Sequence, residues 1–189
     1  MNLVEPIRDL NKIEEMKKVL LEQGKGKRDN ILWKVGVNSG LRISDLIKLK
    51  VSDIRYENGT MRDDITIIEK KTNKKKVFRF NAELKDELDN YTKNMKQFEY
   101  VFKSRNGVNQ PLTRVQVYRF LNEAAKLAKI EHMFGTHSLR KTMGYFFYLK
   151  YKDVATLQTI FNHSSPSITL RYIGISQDEI NNMYEDFSL

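Results

Sequence analysis

Residues 136–145 read THSLRKTMGY and residues 161–173 read FNHSSPSITLRYI. The first stretch puts a histidine, two bases and a threonine within seven positions. The second brings another histidine and, nine positions beyond it, a tyrosine. Their apolar spacing predicts three short helices, near 138–149, 153–162 and 166–173, with the polar side chains gathered at the helix starts and turns. Taken singly, each of these residues has an ordinary explanation. A histidine is more often a packing residue than a catalyst, SLRKT suits the first turn of a helix, and the tyrosine is one of nine. The combination needs a further reason, because two of only three histidines lie beside basic and hydroxyl-bearing side chains.

Working outward, the chain of 189 residues is 40% hydrophobic and 30% charged. That is one domain of ordinary size with enough apolar material for a core. No apolar run approaches the roughly 18–20 residues of a spanning helix, and MNLVEPIRDLNKIEE lacks the pattern of a signal peptide. The absence of cysteine excludes a disulfide framework and thiolate chemistry and fits the cytoplasm. A net charge of +9 points to a polyanionic partner.

Upstream, Asn11 followed by Glu14 predicts a capping box opening a helix, with Ile13, Met16 and Leu20 on one face. A second helix is expected over 29–37, and a short one capped by Ser44. DITIIEK and KKVFRF, separated by KTNK, read as a β-hairpin. Helical periodicity resumes over about 82–96, and YVFKS (100–104) reads as a short strand. Thr113 is expected to cap a helix with Tyr118, Leu121, Ala125 and Ala128 on one face. A last helix, about 177–187, carries Ile180, Tyr184 and Phe187. The fold class is mainly α (α+β), helical with one small antiparallel sheet.

Several chemistries lack their motifs. There is no histidine pair at i, i+4 and no cysteine or carboxylate at metal-ligand spacing. No GxSxG elbow is present, and GKGKRD lacks the spacing of a phosphate loop. What remains is a set of arginine, lysine and histidine donors around one hydroxyl nucleophile, which suits a phosphodiester.

Three segments carry a family resemblance: SGLRISDLIKLKVSDI (39–54), HSLRKT (137–142) and FNHSSPSITLRYI (161–173). In order and spacing they resemble the boxes of the tyrosine recombinases, or phage-type integrases, with a lysine-bearing hairpin between the first and second. The resemblance covers roughly residues 30–175, the catalytic domain. It implies that Arg42, His137, Arg140 and His163 surround the phosphate and that Tyr172 is the nucleophile. Where the family usually writes LGH, this chain has FNH. Of the five lysines in EKKTNKKK, Lys71 fits the family's hairpin lysine best, with Lys70 in reserve.

Chemistry agrees with these roles. A tyrosine hydroxyl of pKa about 10 is mostly protonated at neutral pH and needs surroundings that favour the phenolate. In-line attack on phosphorus builds negative charge on the non-bridging oxygens, and two guanidiniums can meet it without exchanging a proton. An imidazole can handle the nucleophile's proton, and a hairpin lysine can protonate the departing 5′ oxygen.

The implied function is a site-specific DNA recombinase working through a 3′-phosphotyrosine link, with no cofactor, metal or ATP. Alternatives are a type IB topoisomerase-like nicking-closing enzyme and a non-catalytic helix-turn-helix-like DNA-binding protein. The resemblance also makes Arg114 and Gln116 candidates for base contacts and Lys141 for a phosphate contact. Residues 1–189 are expected to form a single catalytic domain without a separate N-terminal core-binding domain. The expected partner is double-stranded DNA, with self-association to a dimer on paired half-sites and a tetramer in synapsis, and no membrane.

Overall fold

The computed structural model describes residues 4–22, 26–69, 74–131, 134–175 and 185. The first helix, α1 (Leu10–Glu22), opens at Asp9, whose carboxylate accepts the Asn11 N–H at 2.8 Å. Asn11 therefore sits inside the first turn rather than capping it. Met16 and Leu20 are fully buried, and Ile13 packs beside them. Helix α2 (Gly26–Ser39) lies at the centre against α1, and the unbroken burial of Asp29 through Trp33 reflects contact on several sides.

Arg42 itself stands at the N-cap of α3 (Ile43–Leu46), so Ser44 lies within the helix rather than ahead of it. One more turn, α4 (Val51–Ile54), is too short for periodicity to reveal. The hairpin forms as expected from β1 (Asp64–Ile68) and β2 (Lys75–Arg79), antiparallel, with Ile65 opposite Phe78 and Ile67 opposite Lys76. Helix α5 (Ala82–Thr92) is capped by Asn81, which accepts the Leu84 N–H at 2.8 Å.

The strand expected at 100–104 is reduced to isolated bridges, Lys50 with Tyr100 and Lys103 with Pro111. Its ends pair with different loops, so no ladder propagates. Helix α6 (Arg114–Leu127) has the expected Thr113 cap, closed into a box by Gln116. Its buried face is Val117, Leu121, Ala124 and Ala125, whereas Tyr118 is exposed. Leu121, Ala125 and Ala128 are buried as expected, and only Tyr118 falls off the face, its place taken by Val117.

The three C-terminal helices expected around the two histidine segments are α7 (Thr136–Tyr151), α8 (Val154–Phe161) and α9 (Pro166–Ile173). A Cβ on Gly144 would stand 2.6 Å from Ile173 Cγ2 and 2.7 Å from two Phe161 ring carbons. Only a glycine lets α8 and α9 close onto α7 here. The helix expected over 177–187 lies outside the described residues. The fold is thus mostly helical with one two-stranded sheet. No helix among the described residues is long and apolar enough to cross a membrane.

Two apolar clusters form. The larger joins α1 to α6 and includes Trp33, Leu46, Phe102 and Leu121. The smaller gathers Tyr148, Leu157, Phe161, Ile173 and Ile175. Arg140 lies between them, bonded to the Gly40 carbonyl and stacked on the Phe161 ring.

Candidate active site

The turn after α2 sets the frame. Gly40 has φ +59°, and a Cβ there would press to 3.0 Å from the Phe161 ring and 3.2 Å from Met143 Sδ. Its carbonyl accepts from two cations, Arg140 Nη1 and, at 3.3 Å, Lys76 Nζ. Arg140 also donates Nη2 to the Phe161 carbonyl at 2.8 Å and stacks on the Phe161 ring at 4.3 Å. A guanidinium that is 3% exposed is thereby fixed by two main-chain acceptors and an aromatic face. Burial pulls its pKa below the usual value, while the Tyr172 hydroxyl, within hydrogen-bonding reach, pushes the other way.

Tyr172 lies on α9, largely buried. Burial raises its pKa, opposed by Arg140 and Arg42, so the resting phenol keeps its proton at neutral pH. His163 follows α8 in the turn before α9. Its pKa is lowered to about 4, first by burial and then by Arg140 and Arg42, so the imidazole is neutral. Its Nδ1 lies 3.0 Å from Thr169 Oγ1, and that hydroxyl donates its own proton to the Ser165 carbonyl at 3.2 Å. The shared hydroxyl therefore accepts from Nδ1–H. This network assigns the tautomer and leaves the lone pair on Nε2, available to take a proton.

Arg42, half-buried, makes an ion pair with Glu69 at 2.6 Å. With Ile43, Ser44, Lys48, Arg114 and His137 it lines an open cleft of about 580 Å³. His137 stands exposed in the first turn of α7, where Ser138 Oγ accepts the Gly135 N–H at 3.1 Å and starts the helix. Arg42, Arg140, His163 and Tyr172 thus converge, with His137 on the cleft beside them. Lys71 and Lys70 lie outside the described residues.

The candidate DNA contacts separate. Arg114 is exposed on the cleft. Gln116 has both ends of its amide engaged, accepting the Thr113 N–H at 2.8 Å and donating to Ser104 Oγ at 3.0 Å. Lys141 is buried, its amine 5.2 Å from the centre of the Tyr172 ring. Burial lowers its pKa, with Glu5 acting in the opposite direction.

Sequence reasoning passed over Lys76, Glu69, Asn162 and Thr169. Lys76 was one of five hairpin lysines, and in the fold it is 8% exposed with a pKa lowered to about 7. Burial is the main cause and Arg140 the next, while Glu69 and Asp45 oppose them. The strands carry the signal. The inward positions of β1 are Ile65 and Ile67, and the next in step is Glu69. Those on the β2 side are Phe80, Phe78 and then Lys76. Period-two alternation runs from the core into the site, leaving Ile68 and Val77 outside, 68% and 56% exposed. Among the described residues, no three histidine, aspartate or glutamate side chains gather as metal ligands would.

Three stretches of the chain bring two arginines, a neutral imidazole and a phenol together, on a domain that is helical with one hairpin among the described residues. The chain belongs to the phage integrase family, whose model matches residues 8–179. It is 48% identical over 187 residues to the probable integrase/recombinase YoeC of Bacillus subtilis (strain 168), covering 99% of this chain and 98% of that protein. Solved structures share its fold, two of them as follows. The catalytic domain of bacteriophage HP1 integrase matches with a TM-score of 0.67 at 20% identity, over 96% of this chain and 94% of that one. The XerH site-specific recombinase, bound to its palindromic difH substrate in a post-cleavage complex, matches with a TM-score of 0.73 at 19% identity. That alignment covers 97% of this chain and 53% of XerH. The chain spans between 53% and 64% of the length of the Xer-type recombinases it matches.

Proposed function

We propose that this protein is a site-specific DNA recombinase that cuts and rejoins strands through a 3′-phosphotyrosine intermediate, acting in the cytoplasm on double-stranded DNA. The observation that carries the reading is the placement of Arg140 against both the Tyr172 hydroxyl and the Gly40 carbonyl, with Arg42 near both and open to the cleft.

Tyr172 Oη attacks the phosphorus. The new bond is O–P to tyrosine, and the bond broken is that from phosphorus to the 5′ oxygen. Arg42 and Arg140 meet the charge that grows on the non-bridging oxygens. His163 Nε2 receives the phenol proton. A phosphate beside the imidazole raises its pKa from the resting value, so it becomes a better base once DNA is bound. A hairpin lysine, Lys71 or its neighbour, protonates the departing 5′ oxygen, and His137 donates to the phosphate from the cleft side. Reversal with a new 5′ hydroxyl rejoins the strands, with the bond energy held in the phosphotyrosine and no ATP consumed.

Arg114 faces the duplex from the start of α6. Gln116 would have to leave the helix cap to reach a base. Lys141 supports the tyrosine from behind its ring. Copies of the chain pair on adjoining half-sites and assemble as a tetramer in synapsis, each contributing a single catalytic domain.

The test is to incubate the protein with the DNA flanking its own gene, recover covalent adducts and map them. Adducts at one pair of positions, formed equally in EDTA, with exchanged strands, support the reading. Relaxation of any supercoiled plasmid without site-dependent products indicates a nicking-closing enzyme instead.

A further inference from the structure

Glu69 is 0% exposed and follows the last residue of β1, at the base of the hairpin turn. One carboxylate oxygen meets Arg42 Nη1 at 2.6 Å and the other accepts Asn162 Nδ2–H at 3.0 Å. Three segments meet there: the residue ahead of α3, the hairpin, and the turn immediately before His163.

The backbone explains why Asn162 can occupy that turn. Its φ is 51°, in the left-handed region, where glycine is the default and asparagine the common substitute. Glycine would satisfy the turn but has no side chain. Asparagine satisfies it and also supplies an amide aimed at Glu69.

Electrostatics gives the contact a purpose. Arg42, Arg140 and Lys76 lie close enough to act on one another, with Glu69 and Asp45 as the anions among them. Without a carboxylate at its back, the Arg42 guanidinium is repelled by its neighbours and drawn toward the water of the cleft. A carboxylate with no exposure lies behind the guanidinium rather than in the cleft where a phosphate enters. It therefore orients the arginine without competing for the substrate.

On this geometry, and resting on the recombinase reading above, we infer that Glu69 is a positioning residue for Arg42, itself held in place by Asn162. The ion pair fixes the fork toward the scissile phosphate and couples the hairpin to the His163 turn. It also gives the FNH segment a role that the LGH of the family resemblance cannot fill.

Two readouts test this. In single-turnover cleavage of a nicked half-site, Glu69→Gln slows the reaction by about ten- to a hundredfold, as a small misplacement of a catalytic group does. Asn162→Gly keeps the turn and slows it by about two- to tenfold, the effect of one lost hydrogen bond. In an Arg42→Ala background neither substitution has further effect, because both act through Arg42. A purely structural role gives additive losses instead and overturns the inference, as does a Glu69→Gln variant that cleaves at the wild-type rate.

The second readout needs no DNA. Guanidinium N–H exchange with water, measured by NMR, rises at Arg42 in both variants. It stays unchanged at Arg55, which is buried and bound to Thr92 and to Asp89. Unchanged exchange at Arg42 overturns the inference. If Glu69→Gln does not fold, Asn162→Gly carries both tests. If wild-type protein forms no adduct, the recombinase reading fails while the exchange measurement still decides the positioning.

Discussion

The rings of His163 and Tyr172 meet edge to face, their centroids 5.0 Å apart and their planes at 73°. Phe161 packs against both, at 5.3 Å and 5.5 Å. The nine-residue step from histidine to tyrosine spans a capped turn, in which Ser165 Oγ accepts the Ile168 N–H, and two turns of α9. The base and the nucleophile are thus presented by one short rigid unit.

His163 should titrate near pH 4 by NMR, with its proton on Nδ1 above that. Between pH 6.5 and 4 the unfolded chain binds a proton that the folded imidazole refuses. Stability therefore falls as pH drops through that window. Replacing Thr169 by valine removes the acceptor that fixes the tautomer and should slow cleavage by about tenfold, while Thr169→Ser restores it. A midpoint at or above 6.5, or a valine variant of full activity, contradicts the assignment.

Both arginines should be needed for cleavage and for stability. Arg42→Ala should lower cleavage by about two to three decades, the loss expected for one transition-state donor, with a much smaller effect on DNA binding, and should cost stability because Glu69 is left buried without its guanidinium. Arg140→Ala should lose cleavage and also stability, on the order of 2 kcal/mol or more, because the Phe161 carbonyl loses its donor and the Gly40 carbonyl keeps only the longer bond from Lys76. Urea unfolding of the two variants checks this, and wild-type stability in either would contradict it.

Lys76 has a depressed pKa, so its sign is opposite to that of a salt-bridged lysine. Between pH 7 and 10.5 the unfolded chain holds a proton that the folded one has released, and stability rises with pH across that range. The slope approaches about 1.4 kcal/mol per pH unit for one proton. Lys76→Met should flatten it in denaturant titrations at several pH values. A slope unchanged by the substitution would mean that Lys76 is not the titrating group.

The hairpin shows how far the sequence could be read. Its two strands were legible from β-branched and aromatic runs, and the histidine–tyrosine step and Arg42 from their spacing in three motifs. The choice of Lys71 rested on the family pattern, which carries no sign that Lys76 is buried. What distinguishes Lys76 is that its neighbours Phe78 and Phe80 continue its face into the core. Glu69 and Asn162 lie 93 positions apart, and no periodicity links such a pair. The errors in α1 and α3 were shifts of two residues, where competing caps differ little in sequence. Gln116 closes the cap of α6, a role that the third helical position allows as readily as a groove contact.

The most direct measurement is the identity of the covalently linked side chain. With a nicked suicide duplex that lets the free strand diffuse away, wild-type protein should accumulate a 3′-linked adduct, and Tyr172→Phe should accumulate none. Mass spectrometry of the trapped peptide should place the phosphodinucleotide on Tyr172. An adduct on any other tyrosine, or one that persists in Tyr172→Phe, would contradict the account.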